Sequence, residues 1–345
     1  ALILGVTGQD GSFMAKLLLK KNYIVHGLVR KSATGNLKNI SEIIKNNFFF
    51  RIHHGDLLDF VSITNIISKI KPDEIYHLGA QSYVGYSFED EFSTFSTNIN
   101  GTHYILSALK EFADKKVKFY FAASSEMFGK AKEASQNENT PFNPRSAYGI
   151  SKVTGYHLVK NYRDAYNLHA TNGIMFNHES PRRGFEFVTR KITHAVARIK
   201  KGSKEKLKLG NINARRDWGH AKDYVEMQWK ILQQKKPEDY VIATGATHTV
   251  REFIVAAGKL LNMLIYWSGK GLKETGYIYE NNIKKIIIKV DKKYFRPNEV
   301  DYLRGNPKKA QKKLNFKPKY SFISLIKNMI DADLFLAEKE LNNKY

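Results

Sequence analysis

Two serines and a glutamate, Ser124, Ser125 and Glu126, follow a stretch at 117–123 whose apolar pattern reads as a buried strand. In an open α/β sheet the carboxyl ends of the strands are where ligands bind. Tyr148 and Lys152 come next, four residues apart in a segment with helical pattern, so they share one helix face. An ammonium beside a phenol favours the phenolate, and such a pair would serve as a base toward a hydroxyl near neutral pH. A Tyr-x-x-x-Lys spacing alone is weak, because ordinary helix surface produces it often. Its weight comes from the residues upstream.

Those upstream elements alternate strand and helix. Residues 2–4 form a short apolar strand, and glycines at Gly5, Gly8 and Gly11 lead into an apolar helix at 13–19. The spacing is GxxGxxG, and its physical use is a tight turn that brings backbone close to a pyrophosphate at a helix N-terminus. Gln9 and Asp10 lie within the same turn. A second strand at 23–29 ends in Arg30, where an acidic residue would suit NAD and an arginine suits the 2′-phosphate of NADP. A third strand at 48–53 leads to Asp56, placed to meet an adenine amino group. A fourth begins at Glu74 and runs through a small-residue turn to Ser82. Helical stretches at about 59–71 and 91–113 supply the crossovers, which argues for an α/β, Rossmann-type, doubly wound parallel sheet.

A further strand at 167–175 ends in the polar run NHESPRRG at 177–184, a second candidate site. Beyond it, helical stretches at about 187–200, 222–234, 249–262 and 321–340 mix with short strands. The expected division is a dinucleotide-binding domain over 1–176, with a return segment at about 215–245, and a smaller mixed α/β lobe over 177–345. Ala1 falls inside an apparent strand, which implies that native residues precede it.

The chain has 345 residues and a net charge of +23, with lysines spread along its length rather than gathered in one arm. That spread describes a lysine-rich surface better than a polynucleotide site. With no cysteine, disulfides and thiolate zinc sites are excluded, and a reducing cytoplasm fits. No apolar run reaches the roughly 20 residues of a membrane span. His53 and His54 lack carboxylates at ligand spacing, so no metal site is expected. The expected partners exclude nucleic acid and membrane.

Taken together, the glycine turn, the Ser-Ser-Glu strand end and the Tyr/Lys pair resemble the extended short-chain dehydrogenase/reductase superfamily. Longer runs sharpen this: NHESPRR at 177–183, VTRK at 188–191, RDWGHAKDY at 216–224, VIATG at 241–245 and RPNE at 296–299. These resemble the GDP-mannose 4,6-dehydratase family over nearly the whole chain, including a branch acting on GDP-manno-heptose. The resemblance implies an NADP cofactor held by Gly5, Gly8, Gln9, Asp10, Gly11, Arg30, Asp56, Leu57, Leu78, Ala80, Ser82, Tyr148, Lys152, His178 and Arg183. It implies a GDP-sugar held by Ser82, Ser125, Asn177, Val188, Lys191, Arg216, Arg296 and Glu299, arginine suiting diphosphate oxygens and glutamate ribose hydroxyls.

The implied reaction has Tyr148 as base, with Lys152 and Ser124 supporting it. Hydride moves internally from C4 to C6 through NADP, and Glu126 removes the C5 proton so that water leaves from C6. Departures from the family pattern gather at the sugar end: Ser124 for a threonine, Phe121, Met127, Phe128, Tyr83, and Gly85-Tyr86 for Lys-Ile. A glycine for a lysine implies a wider pocket and a sugar extended at C6. The loop after Arg30 is short, and Asn36 replaces an arginine expected to help build a tetramer; the resemblance implies a homodimer and leaves a homotetramer open. Two other readings stand beside the dehydratase: a GDP-sugar oxidoreductase or epimerase that eliminates no water, and a non-enzymatic basic binding protein.

Overall fold

The computed structural model describes residues 1–32, 36–114 and 116–342. Seven strands form one parallel sheet: β1 (Leu2–Leu4), β2 (Val25–Val29), β3 (Phe50–His54), β4 (Glu74–His77), β5 (Lys118–Ser124), β6 (His169–Met175) and β7 (Tyr240–Ile242). Their order is β7-β6-β5-β4-β1-β2-β3 and every pairing is parallel. The order reverses between β1 and β4, so the crevice at their carboxyl ends is the switch point where a ligand fits. β1 and β4 are buried at every residue, as expected of strands covered on both faces.

Helices α1 (Gln9–Lys20), α2 (Phe60–Ile70), α3 (Gly101–Phe112) and α4 (Ala147–Tyr166) cover the sheet. So does α6 (Ala221–Leu232), which packs beside α1. Between the sixth strand and β7 also runs α5 (Val188–Lys200), and α7 (Val250–Leu260) and α8 (Phe322–Asn342) follow. These last three helices enclose a second apolar core around Ile192, Phe253 and Met329. Strands Tyr266–Ser268, Thr275–Glu280 and Ile283–Val290 pair antiparallel beside it, and Leu207–Leu209 adds a parallel edge. The sequence pattern alone left this hairpin unplaced, because lysines interrupt the apolar alternation of Ile283–Val290.

The fourth strand ends at His77 and leads into the turn at Gly79, whose backbone lies close against Gly5. One segment differs in kind from the sequence reading. The helix expected over 91–113 is broken by a π-helical turn at Ser96–Asn100 between Glu91–Phe95 and α3. Ser, Thr and Asn are poor helix formers, and the Asn98 side chain bonds Gln81 and Ser151. Within the loop after Arg30, Ala33, Thr34 and Gly35 lie outside the described residues, so the expectation for a tetramer contact there has no structural account. Among the described residues no helix is long and apolar enough to cross a membrane.

Candidate active site

β1 delivers Gly5 into the crevice with φ +86°, a conformation that glycine adopts without strain. A Cβ there would sit 2.6 Å from the Gly79 nitrogen, and one on Gly11 would run into the Gly5 carbonyl. The turn therefore closes only on bare backbone. α1 starts at Gln9, and the N–H groups of its first turn point out of the helix end with a partial positive charge.

The side chains of Gln9 and Asp10 reach inward instead. Gln9 donates to the His178 carbonyl at 3.0 Å and accepts from the Ser180 hydroxyl at 2.8 Å. Asp10 accepts from Gln228 at 2.7 Å and faces His178 Nε2 at 2.8 Å, while His178 Nδ1 lies 2.7 Å from the Phe176 carbonyl. With an acceptor at each ring nitrogen, His178 is set up as a doubly donating imidazolium. Burial works against both charges, but the pair prevails: Asp10 lies below the usual carboxylate range and His178 above the usual imidazole value. The His178 ring also stacks on Tyr224 at 4.8 Å.

β5 ends at Ser124, whose hydroxyl accepts the Glu126 N–H at 3.2 Å and shapes the turn Ser125–Met127. α4 is capped by Ser146, whose hydroxyl accepts the Gly149 N–H at 3.0 Å, so Tyr148 and Lys152 stand one turn apart near its start. A Cβ on Gly149 would come within 2.9 Å of the Glu126 carbonyl, so glycine lets the helix close onto that turn. Lys152 Nζ donates to the Ala122 carbonyl at 2.8 Å and lies 5.9 Å from the centre of the Tyr148 ring.

The expected lowering of the phenol by its lysine is not found. Burial pushes the Tyr148 phenol up, opposed by a hydrogen bond with Ser124. Burial brings Lys152 down to about 7. Loss of water disfavours both charged forms, and the lysine is bonded to a strand-end carbonyl rather than to the phenol.

Strand Trp218–His220 pairs with Asn177–Glu179 and sets Arg216 beside the 177–183 run. Asp217 fixes this segment by accepting from Thr244 N at 2.8 Å, Thr244 Oγ1 at 2.6 Å and Gly245 N at 2.9 Å. Arg216 is buried and bonds Glu299 at 3.1 Å. Arg296 lies 3.8 Å from Glu299 and 4.0 Å from Glu126. Two arginines and two glutamates thus meet at one wall. Lys191 Nζ rests 3.4 Å over the Tyr294 ring, and burial lowers it to about 8.

One cavity of about 750 Å³ joins these groups. It is lined by the glycine turn, by Leu78, Ala80 and Ser82, by Ser124, Ser125, Glu126, Tyr148 and Lys152, and by Asn177, His178 and Arg183. Val188, Lys191, Arg216, Arg296 and Glu299 line its other end. Arg30, Asp56 and Leu57 lie outside it: Arg30 is exposed, Asp56 accepts from Leu58 N, and Leu57 packs against Gly79 and Gly101. The room expected beside Gly85 is filled, because the Tyr83 phenol lies 2.8 Å from where a Cβ would be.

Sequence reasoning missed Asn98. Its side chain accepts from Gln81 N at 2.8 Å, donates to Gln81 O at 3.0 Å and to Ser151 at 2.9 Å, and Ser151 donates to Tyr148 O at 2.7 Å. The polar run at 96–100 inside a helical pattern was the available signal.

This sheet, this turn and a Tyr/Lys pair at the carboxyl ends of the strands make a Rossmann-type fold with a candidate site at its switch point. A family model described as GDP-mannose 4,6 dehydratase matches residues 2–329. The chain belongs to the GDP-mannose 4,6-dehydratase family. It is 48% identical to a GDP-mannose 4,6 dehydratase of Drosophila melanogaster, covering 98% of this chain and 87% of that one. It is 44% identical to a GDP-mannose 4,6-dehydratase of Vibrio cholerae, covering 98% and 95%. A solved dTDP-glucose 4,6-dehydratase of Streptomyces venezuelae superposes with TM-score 0.80 at 20% identity, covering 100% of this chain and 98% of that one. At that identity the likeness is one of fold.

The Asp10–His178 pair gives a pH-dependent stability. His178, raised above 6.5, contributes fully below that value and less as pH climbs through its folded pKa; Asp10, lowered below 3.8, contributes fully above that value. Asp10→Asn should therefore cost about 3 kcal/mol between the ordinary values of 3.8 and 6.5, and less at higher pH. Urea unfolding of both proteins across this range measures it. A cost that stays constant to pH 9 contradicts the assignment.

Proposed function

We propose that this protein is a GDP-sugar 4,6-dehydratase that removes water from GDP-mannose or a GDP-manno-heptose and leaves the 4-keto-6-deoxy sugar. The observation that carries the reading is Glu126, a buried carboxylate in the same cavity as Tyr148, Lys152 and Ser124. Family membership supports the reaction class, and an elimination needs a base that an epimerase of this fold does not.

The site fits a dinucleotide. The approach of Gly5 to Gly79, which a Cβ would block, leaves backbone for a pyrophosphate at the start of α1. Lys152 and the turn glycines would hold the cofactor, and Arg30, at the end of β2, supports NADP over NAD. When bound, the nicotinamide supplies a hydride acceptor and then donor, so the sugar undergoes no net redox change.

Tyr148 takes the O4 proton, with the Ser124 hydroxyl bonded to the phenol to favour its charged form. A ketone at C4 acidifies the proton on C5, and Glu126 removes it. Glu126 or a neighbouring hydroxyl returns a proton to the departing C6 oxygen, which leaves as water, and a proton delivered to C5 as hydride reaches C6 completes the 4-keto-6-deoxy sugar. Arg216 and Arg296 suit the diphosphate oxygens, with Lys191 adding charge, and Glu299 suits ribose hydroxyls. Asn177, Val188, Ser82 and Ser125 complete the wall.

We also propose a homodimer through α4 and the helical segment ending in α3. Phe92 is 79% exposed, and Phe112, Ile150 and Tyr166 are exposed on the same pair of elements. A second copy covers such a face better than water does. The absence of cysteine supports a cytoplasmic setting.

Four measurements test these readings. Incubated with GDP-mannose or GDP-manno-heptose, the protein should release one water, seen by mass spectrometry. Glu126→Gln should lower kcat by about 10²–10⁴ with little change in KM; full retention of water loss by the variant would remove Glu126 as the base, and no water loss from either sugar in the unsubstituted protein would move the reading to an epimerase or oxidoreductase. Arg30→Ala should weaken NADP⁺ binding by about ten-fold or more and leave NAD⁺ nearly unaffected; equal effects on both sink the NADP assignment. Phe92→Asp with Ile150→Asp should halve the mass read by light scattering, and an unchanged mass places the interface elsewhere.

A further inference from the structure

A second cavity, of about 330 Å³, lies on the far side of Lys191. Lys191, His194 and Arg198 recur at helical spacing along α5 and form one wall. Lys206 and Lys208 flank Leu207, which is buried, so by strand alternation both lysines face away from the core. Tyr294 closes the space, and it and Lys191 also line the larger cavity. The two cavities therefore share a cation and an aromatic ring, with Lys191 Nζ 3.4 Å over that ring.

The charge of this space is unbalanced. Four lysine and arginine side chains and His194 face two carboxylates, Glu205 and Glu340. Glu340 lies 3.0 Å from His194 and 3.7 Å from Arg198, and Glu205 lies 3.3 Å from Arg198. The Glu205 side chain is itself 71% exposed, so it is a weak, solvated partner. Lys208 reaches Asp291 only at 3.9 Å, and the buried Nε of Arg198 has no hydrogen-bond partner. Phe185, packed on His194 at 4.8 Å, adds an exposed ring at the rim. Convergent donors, an excess of positive charge and aromatic walls suit an anion that brings several acceptor oxygens.

We propose that this cavity binds a phosphorylated small molecule, and that its occupant draws Lys191 away from the diphosphate of the GDP-sugar. The two ligands then oppose each other through one shared side chain. By linkage, each weakens the other by the same factor. The antagonism rests on the reading of Lys191 as a GDP contact; the second site itself does not.

Inorganic pyrophosphate is the probe, titrated calorimetrically into the full chain preloaded with GDP so that the larger cavity is filled. The comparison is the double variant Lys206→Ser, Lys208→Ser, whose two side chains are exposed and lie outside the proposed active site. The variant should bind pyrophosphate about ten-fold or more weakly and bind GDP within two-fold of wild type. Saturating pyrophosphate should weaken GDP binding in the wild-type chain and much less in the variant. Equal pyrophosphate affinity in the two proteins, or its complete loss on GDP loading in both, overturns the second site. If GDP fails to bind, the functional reading fails instead, and the effect of the two lysines on the unloaded chain still decides the second site. Equal antagonism in both proteins removes the Lys191 mechanism alone.

Discussion

The partly buried pair of Asp10 and His178 is the constraint on which the site geometry rests. It fastens the first turn of α1 to the segment 177–183, which lines the same cavity as Arg216 and Arg296. Gln9 and Gln228 complete the fastening, one from each side. A buried ion pair is a poor source of net stability, because desolvation offsets most of its attraction. Its value lies in register: an unpaired charge at either position is costly, so the two segments have one favourable arrangement. Strand Trp218–His220 then takes its place against Asn177–Glu179 and carries Arg216 to the same wall.

Electrostatics divides the cavity into regions of different chemistry. Around Tyr148 and Lys152 burial works against charge and holds both groups toward their neutral forms. Near Arg216 and Arg296 guanidinium groups interleave with the side chains of Glu126 and Glu299 at 3.1 to 4.0 Å. Glu126 sits at the boundary, close to the catalytic helix and within reach of an arginine. The fold itself does not select a reaction, since the same sheet serves many chemistries. In the proposed mechanism the carboxylate just past β5 is what separates an elimination from a simple oxidation and reduction at C4.

The central sheet was legible because its signals are local: apolar runs, glycines at fixed offsets, and a Tyr/Lys spacing that depends only on helix geometry. Most of the expected ligand residues come from the family resemblance rather than from local signals, and they line one cavity. What could not be read depends on contacts between distant residues. Gln9 and Asp10 face protein because their partners arrive from 168 to 218 positions away in sequence. Asn98 ties the loop at Gln81 to α4 from inside a π-helical turn that no periodicity announces. The space beside Gly85 is taken by a neighbouring tyrosine, which counting side-chain volume along the chain cannot reveal. Lys152 finds a carbonyl rather than the phenol, a choice made by the strand it packs against.

The most direct test of the dehydratase account follows the C5 hydrogen of the sugar. GDP-mannose turned over in D₂O should yield a 4-keto-6-deoxy product with deuterium at C5 from its first appearance, and Glu126→Gln should lose this exchange even where C4 oxidation survives. A product that retains its original hydrogen at C5, or exchange unaffected by the variant, would contradict the role given to Glu126 and with it the elimination.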